Sequence, residues 1–176
     1  MNLFKDIPAG ENLPEEINVV VEIPKNSKNK YEYDEEKGYF KLDRALYSSV
    51  FFPFEYGFVP QTHSADGDPL DVVLLSTNPS LQGCLVEAQP IGVLLMADEA
   101  GEDNKVIAVP KEKIDPRFSQ IKDIEDLPQH LKKEIQSFFE DYKKLEPNKF
   151  VKIKEWESRE KALEIIKKAA ADYNGS

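Results

Sequence analysis

Cysteine is almost absent from this chain. Cys84 is the only one in 176 residues, so no internal disulfide can form, as expected for a reducing compartment. Its setting, Gly83-Cys84-Leu85-Val86 at the head of an apolar run, predicts a buried structural thiol. Histidine is nearly as scarce: His63 and His130 have no partner at metal-ligand spacing, and both are expected at the surface. No window approaches the ~20 apolar residues of a membrane span. Residues 1–10 carry Lys5 and Asp6 and no long apolar stretch, so no signal peptide is expected. Basic charge is also short: 23 Lys+Arg against 33 Asp+Glu give a formal net charge of -10. That balance opposes binding to nucleic acid or an anionic membrane. These deficits predict a soluble, cytoplasmic protein with neither as partner.

What is present reads as one domain over residues 1–176, and a domain of that size buries roughly 70% of its unfolded surface. Ile17-Asn18-Val19-Val20-Val21-Glu22-Ile23 is a strand that stops at Pro24. Residues 31–33 and 39–42 form a hairpin around Glu35-Glu36-Lys37-Gly38, where glycine supplies a positive φ and the two glutamates read as solvated loop charges. Val72-Val73-Leu74-Leu75 is a buried strand. Residues 85–96 form a longer apolar segment whose Pro90 and Gly92 predict a bulge or barrel bend. Val106-Ile107-Ala108-Val109 ends at Pro110. The last third turns helical. Leu131, Ile135, Phe138, Tyr142 and Leu145 fall on one helix face, with Asp126 as N-cap and Pro128 in the first turn. A second helix starts near Ser158, with Leu163, Ile166, Ala169 and Ala170 inward. Short strands followed by helices predict an α+β fold, predominantly β, built on a small barrel.

The chemistry concentrates in two acidic clusters, each beside an apolar run. The first is Asp66-Gly67-Asp68-Pro69-Leu70-Asp71; the second is Asp98-Glu99 with Glu102-Asp103, and Lys105 follows. In extended backbone Asp66 and Asp68 share a face about 6.6 Å apart. Pro69 biases Asp68 towards extended geometry, and Gly67 frees the turn that returns Asp71 to the same side. Two like charges ~4 Å apart repel by about 4 kcal/mol at an effective dielectric near 20, so carboxylates gathered at one cleft call for a hard cation such as Mg²⁺. The spacing does not fit an EF-hand, since Leu70, Asp71 and Thr77 stand where an acidic ligand, glycine and glutamate are required. Nor does it fit an aspartyl-phosphate motif, in which Leu70 would have to be threonine.

Further motifs lie in order along the chain: Ile7-Pro8-Ala9-Gly10, Val20-Val21-Glu22-Ile23-Pro24, Lys30-Tyr31-Glu32, Leu42-Asp43-Arg44 and Tyr56-Gly57-Phe58-Val59-Pro60. After the two acidic clusters come Phe138-Phe139, Tyr142-Lys143 and Trp156. Together they resemble the soluble family I inorganic pyrophosphatases of the short bacterial type, over nearly the whole chain. The resemblance implies a five-stranded OB-type barrel with flanking C-terminal helices, often assembled as a homohexamer. It also implies Mg²⁺-dependent hydrolysis of pyrophosphate to two phosphates by a metal-activated water, with no covalent intermediate. Several ions would serve each site, with Mn²⁺ or Zn²⁺ as substitutes.

By the same resemblance, Asp66, Asp71 and Asp103 hold a first metal, Asp71 reaches a second, and Asp98 with Asp103 holds a third. Glu22 and Glu32 match further metal-binding acids. Asp68 matches the general base, while Lys30, Arg44, Lys105, Lys143, Tyr56 and Tyr142 match groups that grip phosphate oxygens, Arg44 and Tyr56 taking part in catalysis. Read without the family, Arg44 pairs with Asp43 and Tyr142 packs in the core. Phe52 stands where many members carry tyrosine, and Ser137 and Asp141 where some hexameric relatives place interface histidines.

Two other functions remain open at this point. A hydrolase of another phosphoanhydride, such as a nucleotide, requires a base-stacking region that the sequence does not identify. A non-catalytic OB-type binding protein is opposed by the charge. Crowded carboxylates make one prediction at once: millimolar Mg²⁺ should raise the melting temperature, because it binds the folded cluster far better than the unfolded chain. Identical melting curves in Mg²⁺ and in chelator would refute it.

Overall fold

The computed structural model describes residues 1–65 and 67–174. Asp66, one of the expected metal ligands, lies outside the described residues. Five strands close into a ring: β1 (Ile17–Ile23), β4 (Glu55–Val59), β5 (Leu70–Leu74), β8 (Lys105–Pro110) and β6 (Leu85–Asp98). The order is β1-β4-β5-β8-β6, with β6 pairing back onto β1 from Ile17 opposite Ala88 to Val20 opposite Leu85. The β5–β8 pair is parallel; the other four pairs are antiparallel. Outside the ring, β2 (Asn29–Asp34) and β3 (Tyr39–Ala45) form the expected hairpin, turning through Gly38 at φ 72°. The short β7 (Gly101–Glu102) folds back on the end of β6.

Period two decides where each ring residue goes. Val72 and Leu74 of β5, and Val106 and Ala108 of β8, face one apolar cluster, which Ile166 and Ala169 of α2 (Arg159–Asn174) join. Val73, Ile107 and Val109 face the other, where Ile135, Phe138 and Phe139 of α1 (Gln129–Asp141) pack with Phe52 and Phe54. Both faces of these strands are covered, and that is why their sequences are continuous apolar runs rather than alternating ones. The bend in β6 falls where Pro90 and Gly92 interrupt it, and the register with β8 shifts between them. Among the described residues, no helix is long and apolar enough to cross a membrane.

Four local expectations change. Cys84 is exposed, because β6 begins one residue later and its own first residue, Leu85, is also exposed. Asp126 does not cap α1, which begins after Pro128. Its carboxylate is already committed to the N–H groups of Lys122 and Asp123 (2.9 and 3.0 Å) in the capping box of a 3₁₀ turn. Leu145 lies beyond the end of α1 and is exposed. The last third is also not wholly helical: β9 (Val151–Ser158) pairs antiparallel with the far half of β6. Its Lys152, Lys154 and Glu155 hide a strand of which one face alone is covered.

Gly57 marks the closest approach in the wall. A Cβ there would lie 2.1 Å from the Val20 carbonyl oxygen of the neighbouring strand. Gly57→Ala should therefore force β1 and β4 apart and cost about 3 kcal/mol, the upper range for overpacking. Urea unfolding in chelator measures this, and an unchanged midpoint would show that the wall yields freely.

Candidate active site

One rim of the ring opens into a cavity of about 480 Å³. Each wall comes from a different element. Glu22 arrives from β1, Tyr56 from β4 and Asp71 from β5; Asp98 comes from β6 and Lys105 from β8. The β2–β3 hairpin adds Lys30, Glu32 and Arg44, and the segment leaving α1 adds Tyr142 and Lys143. Asp68 and Asp103 reach the cavity from the loops before β5 and β8. The structure thus brings together every sequence-predicted site residue except Asp66, of which it describes nothing.

Register explains the convergence. Tyr56 sits opposite Ile23, next to Glu22, and Phe58 sits opposite Asp71. Lys105 opens β8 as Asp71 nearly opens β5. Because those two strands run parallel, both residues lie at the same rim. Lys105 Nζ is 2.6 Å from Asp71 Oδ2 and also contacts Asp103.

Each basic side chain lining the cavity is paired in this way. Lys30 meets Glu32 at 2.6 Å and Asp43 at 3.4 Å; Lys143 meets Asp98 at 2.7 Å and Glu99 at 3.7 Å. Arg44 donates through Nε and Nη2 to Glu146 Oε1 (2.9 and 2.8 Å) and also contacts Asp43. Arg44 therefore lines the cavity and pairs with Asp43 at once.

Carboxylates outnumber cations here. Among the described residues eight carboxylates and five basic side chains line the cavity, and burial together with these neighbours shifts several of their proton affinities. Burial, and then the charge of Asp71, push Glu22 up to about 8, against the Tyr33 N–H that it accepts at 2.6 Å. Burial also pushes Asp103 up, against the pull of Lys105 and with the help of Asp71. Asp98 moves the other way: burial works to raise it, but the Lys143 bond and the Ala100 N–H together hold it low. Burial and the nearby Asp71 raise the Tyr56 hydroxyl well above its ordinary value, which keeps it a neutral donor. Burial would lower Lys105, yet Asp71 and Asp103 outweigh it and keep the ammonium charged.

Among the polar lining residues, Tyr33, Glu35, Glu99 and Lys149 had been given no site role. Glu35 was expected to be a solvated turn charge. The hairpin folds over the cavity instead, and burial and then Asp68 raise its carboxyl. Glu99 lies within the second acidic cluster, so its signal was visible; Lys149, which pairs with it, had none. Phe52 is buried 4.7 Å from the Phe138 ring and does not line the cavity. His63 is half-buried among aromatic rings rather than on the surface.

An all-carboxylate donor set with a surplus of negative charge matches a hard divalent cation. Among the described residues no three such groups converge as a closed chelate. The Lys105 ammonium stands where Asp71 and Asp103 approach each other, and it offsets their repulsion.

A sequence profile of the inorganic pyrophosphatase family matches residues 19–174. The inorganic pyrophosphatase of Saccharolobus solfataricus is 55% identical over 160 residues, covering 91% of this chain and 93% of that one. That of Thermus thermophilus is 49% identical over 174 residues, covering 98% of each. The crystal structure of inorganic pyrophosphatase from Thermus thermophilus superposes with a TM-score of 0.95 at 48% identity, covering 99% of this chain and 100% of that one.

Proton release should report on Glu22. With its pKa at about 8, it is mainly protonated at about pH 7 in the metal-free chain and must ionise to assist a cation. Calorimetric titration with Mg²⁺ in two buffers of different ionisation enthalpy should show protons released by wild type and fewer by Glu22→Gln. Equal release from both would exclude Glu22 as the source.

Proposed function

This chain belongs to the inorganic pyrophosphatase family, and from that premise we infer how its cavity hydrolyses pyrophosphate to two phosphates. The observation that carries the reading is a single cavity in which carboxylates and basic side chains alternate as ion pairs. The family implies a divalent metal cofactor, and the carboxylate donors suit one; we assign it as Mg²⁺, several ions per site, with Mn²⁺ or Zn²⁺ as substitutes. Asp66, Asp71, Asp98 and Asp103 would hold it, with Glu22 and Glu32 as further acids. When bound, such cations neutralise charge on the substrate and make a water easier to deprotonate.

The chain's own residues do the rest. Pyrophosphate is highly anionic, so its binding requires cations at fixed positions. Lys30, Arg44, Lys105 and Lys143 are already oriented by their carboxylate partners and would turn to phosphate oxygens. Tyr56 and Tyr142, kept protonated by burial, donate neutral hydrogen bonds to the same oxygens. Asp68 accepts a proton from the attacking water. The departing group is itself a phosphate, so the reaction needs no protein nucleophile and no covalent intermediate.

The same reading takes residues 1–176 as one pyrophosphatase domain, cytoplasmic and assembled as a homohexamer, with neither nucleic acid nor membrane as partner. Sedimentation measures the assembly. The activity is tested by phosphate release from pyrophosphate in Mg²⁺, with ATP and a phosphate monoester in parallel. Rapid release from pyrophosphate alone is expected, falling at least about 100-fold in Asp68→Asn, the lower range for loss of a general base. Undiminished release by that variant would remove Asp68 from its role.

A further inference from the structure

Thr62 and His63 lie behind the acidic loop and do not line the cavity. Thr62 is fully buried, and its hydroxyl donates to the Val59 carbonyl (2.6 Å) while accepting the Leu70 N–H (3.0 Å). One side chain therefore joins the last residue of β4 to the first of β5 and closes the neck of the loop that carries Asp68. Asp71 follows Leu70 immediately. Within the loop, the Ser64 N–H donates to the Asp68 carbonyl at 2.8 Å, and the Gly67 N–H donates to the Ser64 carbonyl at 3.0 Å.

The outer side of the loop is held by both ends of the chain. The His63 N–H donates to the Ala169 carbonyl of α2 at 2.9 Å. Its ring lies 5.8 Å from Phe4 and 5.2 Å from Tyr173, which meet each other at 5.4 Å. The Gln61 N–H and side-chain amide donate to the carbonyls of Phe4 (3.2 Å) and Lys5 (2.9 Å). These contacts oppose a specific load. The loop delivers Asp68, and the start of β5 delivers Asp71, to a rim where carboxylates are in excess, and repulsion favours an outward swing.

We propose that Thr62 and the Phe4–His63–Tyr173 ring cluster are positioning residues that set the divalent-cation affinity of the cavity by fixing Asp68 and Asp71. The proposal rests on the pyrophosphatase reading of the cavity. It makes the last turn of α2 and the N-terminal segment determinants of metal binding although neither touches the site.

The test is Mn²⁺ binding to the metal-stripped protein, read by electron paramagnetic resonance, beside thermal melts in chelator and the separate constants kcat and KM. In Thr62→Val, which keeps shape and removes both hydrogen bonds, Mn²⁺ should bind about tenfold more weakly, and Thr62→Ser should restore it. Activity of Thr62→Val should recover at saturating metal, a pattern that a general loss of stability would not give. A folded Thr62→Val that binds Mn²⁺ like wild type would overturn the proposal. If Thr62→Val does not fold, Tyr173→Ala decides: binding about threefold weaker, restored by Tyr173→Phe, supports the latch, and unchanged binding overturns it. A wild type that takes up no Mn²⁺ at all would overturn the reading of the cavity itself.

Discussion

Like-charge repulsion at one rim of a closed β ring is the constraint that organises this molecule. Eight described carboxylates line a single cavity, and a chain with a net charge of -10 has few cations to spare for them. It places five basic side chains there, each in contact with at least one carboxylate. Lys105 is the deepest of them and bridges Asp71 to Asp103. The arrangement is still short of positive charge, with eight carboxylates to five basic side chains. A site left in this condition has a standing affinity for added cations. On the proposed reading, cations bound there would take over the carboxylates from their Lys and Arg partners and leave those side chains to an anionic substrate, so that metal affinity and phosphate affinity would be two aspects of one charge distribution.

The ring supplies the precision that this distribution needs. Five strands each contribute one polar side chain to the candidate site, and their relative positions follow from ladder register. The parallel β5–β8 pair matters most, because it brings the starts of two strands to the same rim and so joins Asp71 to Lys105. Elements outside the ring complete the walls: the β2–β3 hairpin and the segment after α1 carry Lys30, Arg44, Tyr142 and Lys143 to the cavity and meet through Arg44 and Glu146.

Much of this was legible in the sequence because short apolar runs bounded by Pro, Gly and acidic residues are local signals. The strands read at Ile17–Ile23, at Val72–Leu75 and at Val106–Val109, the hairpin, the bend at Pro90 and Gly92, and both helices were visible in that way. The barrel's closure came through family resemblance, since no local pattern states which strands pair. What stayed hidden depends on tertiary placement. In β9, charged residues alternate with apolar ones, and only its pairing with β6 identifies it as a strand. Glu35 looks like any turn glutamate until the hairpin folds over the cavity. Cys84 precedes a strand whose first residue is itself exposed, so the apolar run that follows it was a poor guide to its burial.

Closure of the ring through β1 and β6 also bears on how the protein reaches its native state. These strands lie far apart in sequence, and contacts of high sequence separation form late because the chain entropy must be surrendered before they return any energy. Glu22 rides on β1, Asp71 on β5 and Asp98 on β6, so their carboxylates come together only as the cylinder shuts. In the nascent chain a cation would meet only the separate Asp66–Asp71 and Asp98–Asp103 runs, never the assembled set. An ion held by the whole set would act on the finished barrel, as a lock on the unfolding rate.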